Sequence, residues 1–321
     1  LVFFVEAFSR LFFAVCIFAN GSFAMNIPVS CTLCPRRCKA DRTRAAGFCG
    51  AGPALKVARA ALHYWEEPCI SGTRGSGTVF FSGCSLKCCY CQNWNISAEG
   101  FGKEIDVQRL TEIFLELQEK GAHNLNLVTA TQWLPWVLPA LDNARTRGLT
   151  LPVVYNTGGY ETVETVQALA DYVDIWLADV KYVSPELAQR YSAAPDYFEV
   201  CSAAVRQMLA QTGAPKTDAD GILQSGVILR HLALPGALED SKAVLHWMAS
   251  LPAGSFIPSL MSQYTPFYKA AQTKPLNRRI STWEYRQVIG TAIDLGLTDG
   301  YMQQKSSARE EYTPPFDLEG V

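Results

Sequence analysis

Cys84, Cys88 and Cys91 stand in the spacing C-x3-C-x2-C within Gly83-Cys84-Ser85-Leu86-Lys87-Cys88-Cys89-Tyr90-Cys91-Gln92-Asn93. Three thiolates this close in sequence can wrap one face of a four-iron, four-sulfur cube and leave the fourth iron without a protein ligand. An open iron can bind and activate a small molecule, as an open position does in other catalytic metal sites. Closely spaced cysteines also build structural zinc sites, with Cys89 at hand as a fourth ligand, or pair as disulfides. The preceding run Thr78-Val79-Phe80-Phe81-Ser82 is short, β-branched and aromatic, and reads as a buried strand ending in a glycine turn. The cysteines therefore sit on a loop at a strand's C-terminal end, the catalytic face of a parallel α/β barrel. Neither zinc nor a disulfide explains that strand and the glycine-rich approach to it. Spacing alone leaves one choice open, because Cys89 could replace Cys88 as the middle ligand.

A second group, Cys31, Cys34 and Cys38 closed by Cys49, has the spacing C-x2-C-x3-C-x10-C. Four cysteines in a short arginine-rich segment can satisfy one metal centre completely, either a structural zinc or a fully ligated iron–sulfur cluster. The segment has too few apolar residues to fold by itself, so the metal would supply folding energy. Cys69 stands alone and reads as a buried thiol. His63, beside Tyr64 and Trp65, reads as a packed side chain, and Glu66 as a residue able to face the site.

From Asp106 on, helical and strand patterns alternate. Asp106 is a good N-cap; Val107, Leu110, Ile113, Phe114 and Leu117 fall on one helical face, and Gly121 ends that helix. Strands are predicted over 125–128, 152–155, 173–180 and 227–229 and from Phe256, with helices over 133–144, 161–170, 185–191, 198–209, 241–251 and 283–295. Repeated βα units with apolar strands give an α/β fold, a parallel sheet with helices outside. About six units are present, fewer than the eight of a closed barrel. Four strand ends carry polar groups: Thr129 and Thr131; Asn156 before Thr157-Gly158-Gly159; Asp179 and Lys181; Arg230 and His231. Alternation puts Asp179 and Lys181 on one face, a costly arrangement unless the two are paired or ligand-bound. Arg230 suits a carboxylate, and His231 reads as a packed neighbour. Met261 reads as core, with Gln263 and Tyr264 closing the last strand end.

The fuller string Gly75-Ser76-Gly77-Thr78-Val79-Phe80-Phe81-Ser82-Gly83-Cys84 to Cys91-Gln92-Asn93-Trp94, with Tyr90 before the last cysteine, resembles the signature of radical S-adenosylmethionine (SAM) enzymes. Within that superfamily it is similar to a branch of iron–sulfur proteins related to pyruvate formate-lyase activating enzymes. The resemblance runs from about Cys31 to Tyr264. It implies an open (β/α)6 partial TIM barrel, selects Cys84, Cys88 and Cys91 as ligands of a 4Fe-4S cluster, and leaves Cys89 as a small buried side chain. It implies that SAM chelates the open iron and is cleaved by an electron to methionine and a 5′-deoxyadenosyl radical. That radical would take hydrogen from a small molecule, a peptide or, as in activases, a glycyl radical enzyme. The turn at Asn156 and the Asp-x-Lys of Asp179 and Lys181 are similar to elements beside SAM, so Tyr90, Thr129, Thr131, Asn156, Asp179, Lys181 and Arg230 are the expected cofactor-binding residues. The chain departs from the family at Thr129-Ala130-Thr131, where activating enzymes carry Gly-Gly-Glu to receive the SAM amino group. The resemblance also implies an electron donor such as a flavodoxin or a ferredoxin. A reading from another class is an iron–sulfur or zinc scaffold or redox sensor that does not cleave SAM.

Composition sets the bounds. The chain has 321 residues, 49% hydrophobic and 18% charged, with a formal net charge of -2, a globular balance with no basic run pointing to nucleic acid or a membrane surface. Eleven cysteines gathered at motif spacings favour metal in a reducing, cytoplasmic compartment over a disulfide framework. Residue 1 is Leu, and Arg10, the apolar run Leu11 to Ala19 and Ser22-Phe23-Ala24 resemble a signal peptide. The preferred reading starts the protein at Met25 and treats 1–24 as a non-native or signal-like extension. Residues 25–74 then form a cysteine-rich N-terminal element, 75–305 the partial barrel and 306–321 a loose polar tail.

Overall fold

The Asp106 side chain accepts the Arg109 amide proton and opens a helix whose buried stripe is Leu110, Ile113, Phe114 and Leu117. The computed structural model describes residues 27–303 and 314–321. The expected start at Met25 and the signal-like run before it lie outside the described residues. In chain order the elements are β1 (Leu55–His63), α1 (Pro68–Ser71), β2 (Ser76–Phe81), α2 (Trp94–Ser97), β3 (Lys103–Ile105), α3 (Val107–Glu119), β4 (Leu125–Val128), α4 (Leu134–Thr146), β5 (Val153–Thr157), α5 (Val163–Ala168), β6 (Ile175–Asp179), α6 (Pro185–Ser192), α7 (Tyr197–Thr212), β7 (Lys216–Thr217), β8 (Leu223–Leu232), α8 (Leu238–Ala249), β9 (Ile257–Met261), α9 (Thr282–Asp294) and β10 (Tyr301–Met302). A 3-10 turn, Thr131–Trp133, precedes α4, and Pro135 falls in the first turn of α4, where no intrahelical N–H is required.

Among the described residues the strands form one sheet in the order β10-β9-β8-β6-β5-β4-β2-β1-β3, with β7 paired to β8. The strands β2, β4, β5, β6, β8, β9 and β10 run parallel, each to its neighbour. This is the expected α/β arrangement, an open sheet of partial-barrel type rather than a closed barrel. β1 and β3 are antiparallel additions that the sequence reading lacks. Leu55–His63, within the expected N-terminal element, pairs with β2 and β3 in the sheet. Its small alanines and a register shift between Val57 and Arg59 hide the two-residue period.

Residues 306–313 lie outside the described residues, but 314–321 return to β1. The Ala60 amide donates to the Glu319 carbonyl at 2.8 Å, Arg59 pairs with Asp317 and Glu319, and the Phe316 ring meets Phe80 at 5.5 Å.

Alternation gives the sheet two unlike faces. Tyr155, Trp176, Ala178, Val227 and Leu229 join the main core on the helix side. Val154, Ile175, Leu177 and Ile228 point the other way, where Cys69 and Ile70 of α1 pack against them. Two residues farther along these strands the same inner face carries Asn156, Asp179 and Arg230. The inner face is thus an apolar floor, plugged by α1, beneath a charged layer. Cys69 is the buried thiol its isolation suggests.

Candidate active site at the cysteine loop

The loop after β2 is fixed from both sides. Gly83 has φ +81°, and a Cβ there would lie 2.6 Å from the Cys49 carbonyl oxygen, so only glycine fits. On one side the Cys84 amide donates to that carbonyl at 3.0 Å. On the other, the Lys87 and Cys89 amides donate to the Ser192 and Tyr191 carbonyls at 3.2 and 2.8 Å, which anchors the loop to the end of α6. The Gln132 side-chain amide donates to the carbonyls of Ser82, Gly83 and Thr129, stapling the ends of β2 and β4 together.

Each motif sulfur has a hydrogen-bond partner, and Cys91 also accepts from the Asn93 backbone. The Leu86 amide donates to Cys84 Sγ at 3.4 Å, the Ser97 hydroxyl donates to Cys91 Sγ at 3.2 Å, and Ser192 Oγ lies 3.0 Å from Cys88 Sγ. As free thiols, Cys84 and Cys91 resist ionisation. Burial, then repulsion from Cys88 and Cys91, pushes Cys84 up to about 12, and burial with Cys88 pushes Cys91 up to about 11. Cations are what would let them ionise together. The residues present therefore fit a metal cluster: three sulfurs oriented by donors, on one short loop, at the C-terminal end of a parallel strand. Cys89 is half-buried, with burial the main cause of a thiol pushed up to about 11.

In the second cysteine group, two of the four sulfurs lie near one another. A Cβ on Gly47 would lie 3.3 Å from Cys38 Sγ and 3.6 Å from Cys49 Sγ, so those two sulfurs flank one point. Burial works against the Cys38 thiolate, but amides of Ala40 and Phe48 and the Cys31 thiol outweigh it and lower its pKa. Burial pushes Cys34 up to about 12. Among the described residues no three His, Cys, Asp or Glu side chains are placed to hold a single metal ion, and that includes Cys31, Cys34, Cys38 and Cys49. A cube takes each cysteine on a different iron, so the Cys84 loop has no need to close on one ion; a zinc site does.

The charged layer lies beneath the loop. Arg230 donates through Nε to Asp179 at 2.8 Å, through Nη1 to Glu66 at 3.1 Å and through Nη2 to the Asn156 amide oxygen at 2.7 Å. Asn156 in turn donates to Glu66 at 3.0 Å. Lys181 meets the other Asp179 oxygen at 2.6 Å. Burial opposes the Lys181 charge, but Asp179 and then the Cys88 sulfur overcome it and hold its pKa above the ordinary lysine value. Of the two cations, Lys181 is the one whose field reaches the cysteines, whereas every nitrogen of Arg230 is committed.

The other expected cofactor-binding residues divide. Thr129 is half-buried and donates to the Asn156 carbonyl at 3.2 Å. Thr131 is fully buried and donates to Glu161 at 2.7 Å, so it supports that carboxyl instead of opening on the mouth. Tyr90 is buried with its hydroxyl 2.5 Å from that of Tyr182 and its ring against Tyr264. His63 packs edge-on against Phe80, and His231 is buried between the Val180 carbonyl and the Ser241 hydroxyl, as packed histidines do. Met261 is core and Gln263 accepts from Gln303 at 3.0 Å. Sequence reasoning passed over Ser97, Gln132, Glu161, Tyr182 and Ser192; single hydroxyls and amides with partners far along the chain carry no local signal. A cavity of about 350 Å³ opens beside Glu66, between Tyr64 and Trp65 on one side and Gln263 and Gln303 on the other.

Residues 78–208, from the strand before the cysteine loop through most of α7, match the radical SAM superfamily. This segment is thus similar to a radical SAM domain. An uncharacterized protein of Methanocaldococcus jannaschii is 29% identical over 281 residues, which cover 85% of this chain and 77% of that protein. Two solved structures are also similar. A domain of a pyruvate-formate lyase-activating enzyme from Bacteroides vulgatus is 17% identical with a TM-score of 0.37, covering 52% of this chain and 90% of that one. A radical SAM methyltransferase from Sphaerobacter thermophilus is 13% identical with a TM-score of 0.47, covering 71% of this chain and 66% of that one. The matched segment contains the motif cysteines, Asp179 and Lys181; Glu66 and Arg230 flank it in sequence.

Proposed function

We propose that this chain is a radical SAM enzyme whose Cys84, Cys88 and Cys91 hold a 4Fe-4S cluster. The observation that carries this reading is the hydrogen-bond partner at each of those three sulfurs, on a loop inside the segment that matches the radical SAM superfamily. When bound, the cluster supplies an electron that splits SAM into methionine and a 5′-deoxyadenosyl radical, which removes hydrogen from the substrate. The chain's own residues bind and orient. Lys181 neutralises the methionyl carboxylate, and Asp179 holds Lys181 in place before SAM arrives. Arg230, braced by Glu66, Asp179 and Asn156, keeps Asp179 from rotating. The absent Gly-Gly-Glu leaves the SAM amino group to Thr129 or backbone carbonyls. The cavity beside Glu66 is the proposed entry for substrate, with activation of a glycyl radical enzyme as the narrower form of the reading. A ferredoxin or flavodoxin in the cytoplasm is the proposed electron donor, and Cys31, Cys34, Cys38 and Cys49 a proposed second metal site.

The test is anaerobic reconstitution with iron and sulfide, followed by SAM and dithionite, with 5′-deoxyadenosine measured by mass spectrometry. Product that disappears in Cys88→Ala supports the reading. Iron bound at the loop without SAM cleavage would favour a scaffold or redox sensor instead.

A further inference from the structure

We propose that Tyr90, Tyr182 and Ser192 form a directed chain of hydroxyls that ends on Cys88 and sets how readily the cluster there accepts an electron. The inference rests on the reading of Cys84, Cys88 and Cys91 as cluster ligands. Tyr90 Oη lies 2.5 Å from Tyr182 Oη, Tyr182 Oη lies 3.0 Å from Ser192 Oγ, and Ser192 Oγ lies 3.0 Å from Cys88 Sγ. Tyr182 and Ser192 are fully buried and Tyr90 nearly so. No bulk water competes for these groups.

Direction follows from proton count. A hydroxyl has one proton to donate, and a ligating thiolate can only accept. Ser192 must therefore donate to Cys88, accept from Tyr182, and leave Tyr182 to accept from Tyr90. All three protons point toward the sulfur, and each bond polarises the next. A free Cys88 thiol could reverse the order; ligation removes that freedom.

The chain is held rigidly. Lys87 and Cys89, on either side of Cys88, donate their amides to Ser192 and Tyr191. Arg36 of the N-terminal segment donates to the Ser192 and Ala193 carbonyls at 3.3 and 2.5 Å and so caps the C-terminus of α6. Hydrogen bonds to cluster sulfurs are one lever by which a protein sets reduction potential. Each bond draws charge from sulfur and favours the reduced, more negative state. Cys84 receives the Leu86 amide and Cys91 the Ser97 hydroxyl and the Asn93 amide, whereas the donor to Cys88 has two further hydroxyls behind it. Ser192 and Tyr182 are positioning residues that act through Cys88.

The experiment is a redox titration of the anaerobically reconstituted full chain, followed by the electron paramagnetic resonance signal of the reduced cluster. Ser192→Ala is expected to shift the midpoint to more negative potential. Tyr182→Phe should shift it less, in the same direction, and Ser192→Thr, which keeps the donor, should stay near the parent. If Ser192→Ala loses its iron, Tyr182→Phe decides, since it leaves the Ser192 hydroxyl on Cys88. An unchanged midpoint at equal iron content in Ser192→Ala, or in Tyr182→Phe where that variant decides, overturns the inference. A parent protein that binds no cluster at the loop defeats the underlying reading instead.

Discussion

The backbone carbonyl of Cys49 accepts the amide proton of Cys84 at 3.0 Å, so the two cysteine groups share a hydrogen bond. The N-terminal segment is thereby part of the wall of the site. Gly83 is where this contact is tightest. Gly83→Ala combines a left-handed backbone with a Cβ 2.6 Å from the Cys49 oxygen, and its expected cost is about 2–4 kcal/mol. Gly50, also left-handed but with open space around it, should cost only about 1 kcal/mol as Ala. Urea midpoints at unchanged slope measure both; equal costs would mean that the contact contributes nothing.

The middle ligand can be tested by iron content. Cys88→Ala is expected to lose most of the iron reconstituted at the loop, and Cys89→Ala to keep most of it. Cys88 has Ser192 at 3.0 Å, whereas the Cys89 amide serves to pin α6. The opposite pattern would move the ligand to Cys89.

Lys181 and Arg230 should fail in different ways. Lys181→Met is expected to weaken SAM binding in calorimetric titrations of the anaerobic protein by ten-fold or more while the chain stays folded. Arg230→Met leaves Glu66 and Asp179 buried without their shared guanidinium, and should lower stability by about 3–5 kcal/mol. A stable Arg230→Met protein that no longer binds SAM would assign the carboxylate to Arg230.

Glu161 gives a pH dependence. It is buried, with hydroxyls of Thr131 and Thr157 on one oxygen, and burial pushes its carboxyl from 4.5 up to about 7. Between those values the folded chain keeps a proton that the unfolded chain releases. The stability this group provides is therefore full below its unfolded value and is lost as pH rises through about 7. The loss is on the order of 3 kcal/mol at most. Glu161→Gln should flatten urea stability between pH 5 and pH 8; the same slope in both proteins would rule Glu161 out as its source.

Local signals made much of this legible. Asp106 announced its helix, and the apolar runs ending at Val128, Asp179 and Arg230 announced the parallel sheet, because burial on both faces writes itself into consecutive residues. The cysteine loop was legible because Cys84, Cys88 and Cys91 lie within eight positions. β1 was not, since a strand rich in alanine with a register shift lacks a strong period, nor was the packing of 314–321, whose partners are far away in sequence. Thr131 misled for the opposite reason: the position after β4 was right, but a 3-10 turn carries its hydroxyl into the core toward Glu161.

The plug beneath the charged layer has a consequence for how the chain is made. Glu66 and Arg230 are 164 positions apart, and Glu67 waits 192 positions for Ser259. Such non-local pairs form late, after the cost of closing the intervening loop has been met. Until β8 arrives, a nascent chain holds Glu66 and Glu67 with no guanidinium between them, and Asp179 has only Lys181 as a cationic partner. Fragments ending before Leu223 are therefore expected to stay open to proteolysis, which limited digestion of truncated chains would check.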